Sequence, residues 1–247
     1  MTTNKQADVY DRLLNLRLMS FPGVMALVLT VLGLVIAIYH LHTAFFGQPT
    51  VMVYRSISFN LFMAAAFLLY PLRRKPFYQE RFIAMIPDIL CVLFVVFIQI
   101  YILADMDAFM ERRGSPNPAD IILGTIYIGL VVEITRRTVG LTLALLVLVF
   151  FFQSFLSHHL FGIFYGPPIT YADLIDNLFL QEQGIFGIPV MVMADYIYLF
   201  ILFGIFLVYA GAGEFFMDLA YGLTRGQVGG PAKASVLSSM LLSLIHI

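Results

Sequence analysis

The chain is too apolar and too weakly charged for a protein that folds in water. It has 247 residues, of which 61% are hydrophobic and 12% charged, with a mean hydropathy of +0.92. Soluble domains carry about 25% charged residues, so an ordinary soluble enzyme and a disordered chain are excluded. The net charge of −1 gives no basic surface for nucleic acid. The single cysteine, Cys91, excludes an internal disulfide.

Apolar segments long enough to cross a bilayer recur six times along the chain. A helix of about 20 residues spans the hydrocarbon core. The pattern predicts spans at residues 21–41, 57–72, 82–104, 119–134, 138–156 and 185–210. The first segment is too long for a signal peptide, and no small-residue cleavage pattern follows it. The sequence therefore predicts an all-α polytopic membrane helical bundle with six transmembrane helices.

The distribution of Lys and Arg predicts how the bundle is oriented. Cytoplasmic loops of membrane proteins carry an excess of basic residues. If alternate loops are cytoplasmic, eleven basic residues lie on the cytoplasmic side and three on the other, namely Arg55, Arg112 and Arg113. We therefore expect both the N-terminus and the C-terminus of the chain on the cytoplasmic side.

Two acidic residues, Asp88 and Asp120, stand just behind a proline at the start of an apolar segment. A carboxylate in this position can accept hydrogen bonds from the free amides of the first helical turn. We expect both residues to cap their helices, with a proton relay as the alternative. Because the two helices start on opposite sides of the membrane, the aspartates are not expected to form a carboxylate pair.

Glu133 lies three and four residues before Arg136 and Arg137, a spacing that puts all three on one helical face. We expect a local ion pair at the end of the fourth span. The alternative is that the two arginines bind an anionic lipid headgroup.

Asp195 is the one acidic residue deep within a predicted span, and no basic residue lies within a helical turn of it. A charged side chain at the bilayer centre costs about 2.5–3.5 kcal/mol on insertion scales. Asp195 is therefore expected either to bond to another helix inside the bundle or to line a polar pathway. It is the candidate substrate- or ion-binding residue. The spacing of the histidines does not suit a metal site. The sequence contains no catalytic motif, so we do not expect an enzyme.

The fifth loop contains a short amphipathic segment near residues 171–180. Its apolar residues fall at 174, 175, 178 and 179, while its acidic residues have no basic neighbours in the loop. This pattern predicts an amphipathic helix on the outer surface of the membrane.

A series of short motifs begins near residue 113 and continues in order to residue 233. The motifs are RGSP at 113–116, DIILG at 120–124, EITRRTVG at 133–140, EQGIFGIP at 182–189, FILFG at 200–204, GAGEFFMDLA at 211–220 and GGPAK at 229–233. With them the chain resembles the fused membrane subunit of a tripartite ATP-independent periplasmic (TRAP) transporter of the TAXI subclass. The first half matches more loosely, as a small four-span subunit fused ahead of the large one.

The resemblance implies a permease in the bacterial inner membrane that takes organic anions from a periplasmic solute-binding protein. The resemblance implies that a sodium gradient drives transport, with a proton gradient as the alternative. No cofactor is expected apart from sodium as the coupling ion. On this mapping residues 1–137 form a small-subunit-like four-helix domain, and residues 138–247 form the N-terminal part of the large transport domain. Residues 229–247 correspond to the start of a re-entrant hairpin.

The sequence departs from the family after residue 240. The family continues into a glycine- and serine-rich hairpin tip that helps to hold sodium and substrate, whereas this chain reads LLSLIHI and stops. We therefore expect a C-terminally truncated permease that is inactive alone, and no ion ligand can be carried over. The alternatives are a non-transporting integral membrane scaffold and an intramembrane enzyme built on Asp195. The enzyme is disfavoured because no second acid lies mid-span.

Overall fold

The structure is a computed structural model that describes residues 23–72, 86–226 and 228–242. Every regular element in these ranges is helical. The helices are α1 (Gly23–Phe46), α2 (Val51–Leu69), α3 (Ile86–Ala104), α4 (Met106–Glu111), α5 (Pro118–Thr138), α6 (Leu141–Leu156), α7 (Tyr171–Ile175), α8 (Ile188–Tyr209), α9 (Ala212–Thr224) and α10 (Gly230–Leu242). A π-helical turn, Asp176–Leu180, follows α7 directly, and a second one, Met193–Ile197, lies within α8.

Six of the described helices, α1, α2, α3, α5, α6 and α8, are long and apolar enough to cross a membrane. They correspond one to one with the six predicted spans, which confirms the all-α polytopic fold. The basic residues before residue 23 and between residues 73 and 85, which contribute to the predicted orientation, lie outside the described residues.

The second span begins earlier than predicted, at Val51 instead of residue 57. The additional helical turns contain Arg55, whose guanidinium is costly to place in hydrocarbon. In the structure the Arg55 side chain donates to the backbone oxygens of Glu182 and Phe186, at 3.4 and 3.1 Å. Since protein carbonyls take up its hydrogen bonds, the helix can continue through this position.

The chain divides into two compact units, Met1–Met191 and Val192–Ile247, and each is described by itself. The division falls within α8 and differs from the boundary at residues 137 and 138 that the resemblance implies. The boundary at residues 137 and 138 separates the part that resembles the small subunit from the part that resembles the large one, and it stays a prediction.

The core of the first unit lies between α2, α3, α5 and the π turn after α7. Its largest fully buried side chains include Phe67, Ile98, Tyr127, Phe179 and Phe186. The ring of Tyr127 lies 5.4 Å from that of Phe179 and 5.6 Å from that of Phe186, centroid to centroid. By contrast, most large apolar side chains of α1 and α6 are exposed, as expected for surfaces that face lipid.

The predicted surface helix at residues 171–180 is present, but its apolar face packs against protein. Ile175, Phe179 and Leu180 are fully buried in the core of the first unit. Gly124 of α5 permits this close approach, because a Cβ atom there would lie 2.6 Å from Ile175 Cγ2. The helix therefore closes one end of the bundle and does not lay its apolar face on the bilayer.

In the second unit, the end of α8 is followed by two packed helices, α9 and α10. Gly211 separates α8 from α9 and has a left-handed backbone (φ +78°), which glycine adopts without strain. The predicted start of a re-entrant hairpin, at residues 229–247, coincides with α10, while residues 243–247 lie outside the described residues. Re-entry into the membrane stays a prediction.

Candidate functional site

At one end of the first unit a buried ion-pair cluster joins three helices. Arg137 of α5 contacts Asp88 of α3 and also donates to Glu133 Oε1 at 2.7 Å. Its guanidinium carbon lies 5.1 Å from the centroid of the Phe67 ring of α2, a cation–π contact. The side chains of Arg137 and Asp88 are only 4% and 1% exposed. We call Asp88, Glu133, Arg136 and Arg137 the Arg137 cluster.

Asp88 lies in the first turn of α3, as predicted, and its expected role as a cap stays a prediction because the residues just before Ile86 lie outside the described residues. Its carboxylate Oδ1 accepts hydrogen bonds from Arg137 and from the backbone N–H of Leu72, which lies just beyond the end of α2. The guanidinium is the stronger partner because both groups are charged. Asp88 therefore links α3 to α2 and α5.

The expected ion pair within the fourth span is also present. Glu133 accepts from Arg136 at 2.8 Å and from Arg137 at 2.7 Å. Because Glu133 and Asp88 already engage these arginines, the cluster offers little free positive charge to a lipid phosphate.

At the other end of the first unit Asp120 organises the start of α5. The Asn117 side chain accepts from the Asp120 amide, and Asp120 Oδ2 accepts from the Asn117 amide, which forms a capping box. Asp120 also receives hydrogen bonds from Arg112 Nε at 2.7 Å and from the Tyr101 hydroxyl at 2.6 Å. The hydrogen bond to Asp120 raises the pKa of Arg112 above its usual value. Asp120 is thus both a cap residue and an anchor for the preceding loop.

The third and fifth loops meet at this same end. Arg113 donates to Glu182 Oε1 at 2.9 Å and to the Leu180 carbonyl at 3.1 Å. The Gly114 amide donates to Asp176 Oδ1 at 3.1 Å, and Gln181 donates to Asp176 Oδ2 at 2.6 Å. We call Arg112, Arg113, Asp120, Asp176 and Glu182 the loop cluster. Arg112 pairs with Asp120 and Arg113 with Glu182, while Asp176 accepts from the Gly114 amide and from Gln181.

A third set of polar side chains, all uncharged, lies inside the first unit between the two clusters. The Tyr127 hydroxyl donates to Asn60 Oδ1 at 2.6 Å, and Asn60 Nδ2 donates to Gln99 Oε1 at 2.5 Å. Gln99 Nε2 in turn donates to Ser56 Oγ at 3.3 Å. These four residues, which we call the Asn60 network, connect α2, α3 and α5 by side-chain hydrogen bonds.

The sequence analysis did not single out the Asn60 network, although a signal was present. Asn60 and Ser56 are four residues apart in one span, and Gln99 is a lone amide in a very apolar one. Polar side chains that share a face within a membrane helix indicate a hydrogen-bonded contact between helices.

Asp195 lies in the second unit, whereas Asp88 and Asp120 lie in the first. The structure places Asp195 in the π-helical turn Met193–Ile197 of α8, with an intermediate exposure. Single π turns inside membrane helices occur frequently at functional sites. Among the described residues, no group of three or more His, Cys, Asp or Glu side chains could hold a metal ion.

The comparisons with known proteins agree with the transporter resemblance. Residues 126–246 match the family model of the tripartite ATP-independent periplasmic transporter, DctM component. This match supports the TRAP permease family. The matched part extends from the middle of α5 through α10 and includes Asp195. No curated protein and no solved structure matches the chain.

The six apolar helices and the DctM match support a multi-pass membrane component of a transporter. In the first unit, the two charged clusters and the Asn60 network link helices and loops by ion pairs and hydrogen bonds. The DctM family is a family of transporters, not of enzymes. A permease of this family implies a membrane and an association with a periplasmic binding protein.

Proposed function

We propose that this chain is the membrane permease component of a secondary active transporter that takes up organic anions, namely carboxylates, from a periplasmic solute-binding protein. The observation that carries the proposal is the DctM match over residues 126–246, joined to six helices able to span a membrane. A sodium gradient, or alternatively a proton gradient, drives uptake in the bacterial inner membrane. The small-subunit-like part, residues 1–137, acts as the scaffold of the transporter.

An uptake assay in cells that lack the native gene for this chain tests the proposal. We expect uptake of at least one labelled carboxylate to disappear and to return when the native gene is supplied. The restored uptake should need the binding protein and should stop when an ionophore collapses the sodium gradient. Uptake that survives this treatment but stops with a protonophore would assign proton coupling instead.

The second candidate function is a non-transporting membrane scaffold, which the ion pairs within the charged clusters of the first unit favour. A scaffold predicts that loss of the chain changes no carboxylate uptake, provided that the binding protein and the other membrane components are still made. Such a result in a full panel of carboxylates would overturn the transport proposal.

Within the proposed transporter, Asp195 is the candidate ion- or substrate-binding residue. Its support is the cost of an acid within a span and the π turn that contains it. We expect Asp195→Asn to leave membrane insertion intact and to lower uptake about tenfold, a loss that corresponds to about 1.4 kcal/mol.

Asp218→Asn is the matched control, because Asp218 is an exposed acid on α9 of the same unit. This variant should transport normally. If Asp195→Asn transports at the normal rate but melts at a lower temperature, Asp195 serves packing, and the binding role is wrong.

A further inference from the structure

The loop between α6 and α7 presents large apolar side chains to its surroundings. Phe161 is 92% exposed and Ile163 is 93% exposed, and Phe164 and Tyr165 are 52% and 66% exposed. These residues flank or form the 3₁₀ turn Gly162–Phe164. We call residues 161–165 the aromatic loop. Such a concentration of exposed apolar surface indicates an interaction site.

The backbone at the base of the loop holds these side chains outward. Ser157 is buried; its hydroxyl donates to the Pro167 carbonyl at 3.3 Å, and its carbonyl accepts from the Gly166 amide at 3.3 Å. Gln153 donates to the Phe164 carbonyl at 3.3 Å. Because the two ends of the loop are bonded together and to α6, the aromatic loop protrudes from a defined base.

The position of the loop and its lack of charge indicate what it contacts. It directly follows the candidate span Leu141–His159, so it lies at a membrane boundary. No Asp, Glu, Lys or Arg occurs between Arg137 and Asp173. The preceding helix α6 also exposes apolar side chains, among them Phe152 and Leu156, which are 57% and 46% exposed.

We propose that the aromatic loop inserts into the interfacial region of the bilayer and anchors the connection between α6 and α7 to that leaflet. Aromatic residues such as Phe and Tyr suit this region, which is apolar on one side and hydrated on the other. A protein partner is the less suitable occupant, because the loop offers no charged rim to pair with. The partner is therefore the lipid surface itself.

Insertion of the aromatic loop would also fix the depth of α7 relative to the membrane. The anchored connection leads directly into α7 and its π turn, which close the end of the bundle through Ile175 and Phe179. The aromatic loop is anchored in lipid and α7 is packed on the bundle, so residues 166–170 between them are held at the membrane surface.

The chain contains no tryptophan, so a single Trp reports on its own site without background. The test uses the full chain with Ile163→Trp, and separately with Phe161→Trp, in phosphatidylcholine vesicles. We expect emission shifted to shorter wavelength, weak quenching by iodide, and strong quenching by lipids brominated near the headgroup. Both positions are highly exposed, so the substitutions should not disturb folding.

Two control positions calibrate the measurement. Ser115→Trp lies in an exposed polar loop and should be quenched by iodide, while Phe150→Trp lies within α6 and should be quenched by lipids brominated near the chain end. If Trp at 163 and 161 behaves like Trp at 115, the loop lies in water. If neither iodide nor brominated lipid quenches it, protein covers the loop. Either result overturns the proposal.

Discussion

Arg136 and Arg137 are neighbours that share one carboxylate yet lie in different surroundings. Both donate to Glu133, but the Arg136 side chain is 39% exposed and the Arg137 side chain only 4%. An exposed ion pair contributes about 0–1 kcal/mol. A buried pair that loses one partner leaves an uncompensated charge, which costs about 3–5 kcal/mol. Burial therefore decides which arginine the fold needs.

We expect Arg137→Gln to lower the free energy of unfolding by about 3–5 kcal/mol, because Asp88 would keep a buried charge without its guanidinium. Arg136→Gln, the matched control, should cost about 1 kcal/mol or less. Thermal melting of the two purified variants in the same detergent measures the difference. Equal losses would show that the Arg137 cluster does not depend on burial.

At this scale the sequence indicated which charged residues needed partners, but not which partners they had. The pairing of Glu133 with Arg136 was predictable because it is local, at a helical spacing. The partner of Asp88 was not, since 49 residues separate it from Arg137 in sequence. The polar residues of the Asn60 network were visible in the apolar spans, but their partners were not, because the four residues come from three helices whose packing the sequence does not encode locally.

Among the elements, α5 and the helix formed by residues 171–180 depend on one close contact. Gly124 faces this helix, and a Cβ atom there would approach Ile175 Cγ2 to 2.6 Å and Phe179 Cδ1 to 3.1 Å. Gly129 of the same α5 has no atom within 4 Å of its ideal Cβ position. The two glycines therefore separate the effect of packing from that of helix propensity.

We expect Gly124→Ala to destabilise the protein by about 1–3 kcal/mol, because overpacking forces neighbouring side chains or backbone to shift. Gly129→Ala should be neutral or stabilising, since alanine favours a helix by about 1 kcal/mol relative to glycine. The two melting temperatures in one detergent give the comparison. Equal effects of the two substitutions would contradict the close contact at Gly124.

The amphipathic pattern of residues 171–180 predicted a helix and its apolar face, and both are present. It did not predict what the face would contact. Lipid and protein select the same apolar residues, so periodicity alone cannot distinguish a helix on the bilayer from one packed on a bundle. Gly124 was the distinguishing residue, and its meaning depends on a contact between distant parts of the chain.

In the first unit, the loops between the spans lie at two opposite ends of the helical bundle. Contacts of Arg55 and Arg113 with residues near 180–186 join the start of α2 and the third loop to the fifth loop. Contacts of Arg137 with Asp88 and with the Tyr70 carbonyl join the second and fourth connections at the other end. This is the alternation that hydropathy predicts, and the six spans were therefore readable from sequence. Which end faces the cytoplasm is decided by the basic residues.

Labelling of single cysteines tests this orientation. With the native Cys91 replaced by Ala, the variants Ser115→Cys and Val139→Cys place one thiol at each end, and both native side chains are exposed. We expect a membrane-impermeant maleimide to label position 115 in intact spheroplasts and to label position 139 only after the membrane is permeabilised. The Cys91→Ala parent should stay unlabelled. The reverse pattern would contradict the orientation with both termini in the cytoplasm and would put the loop cluster on the cytoplasmic side.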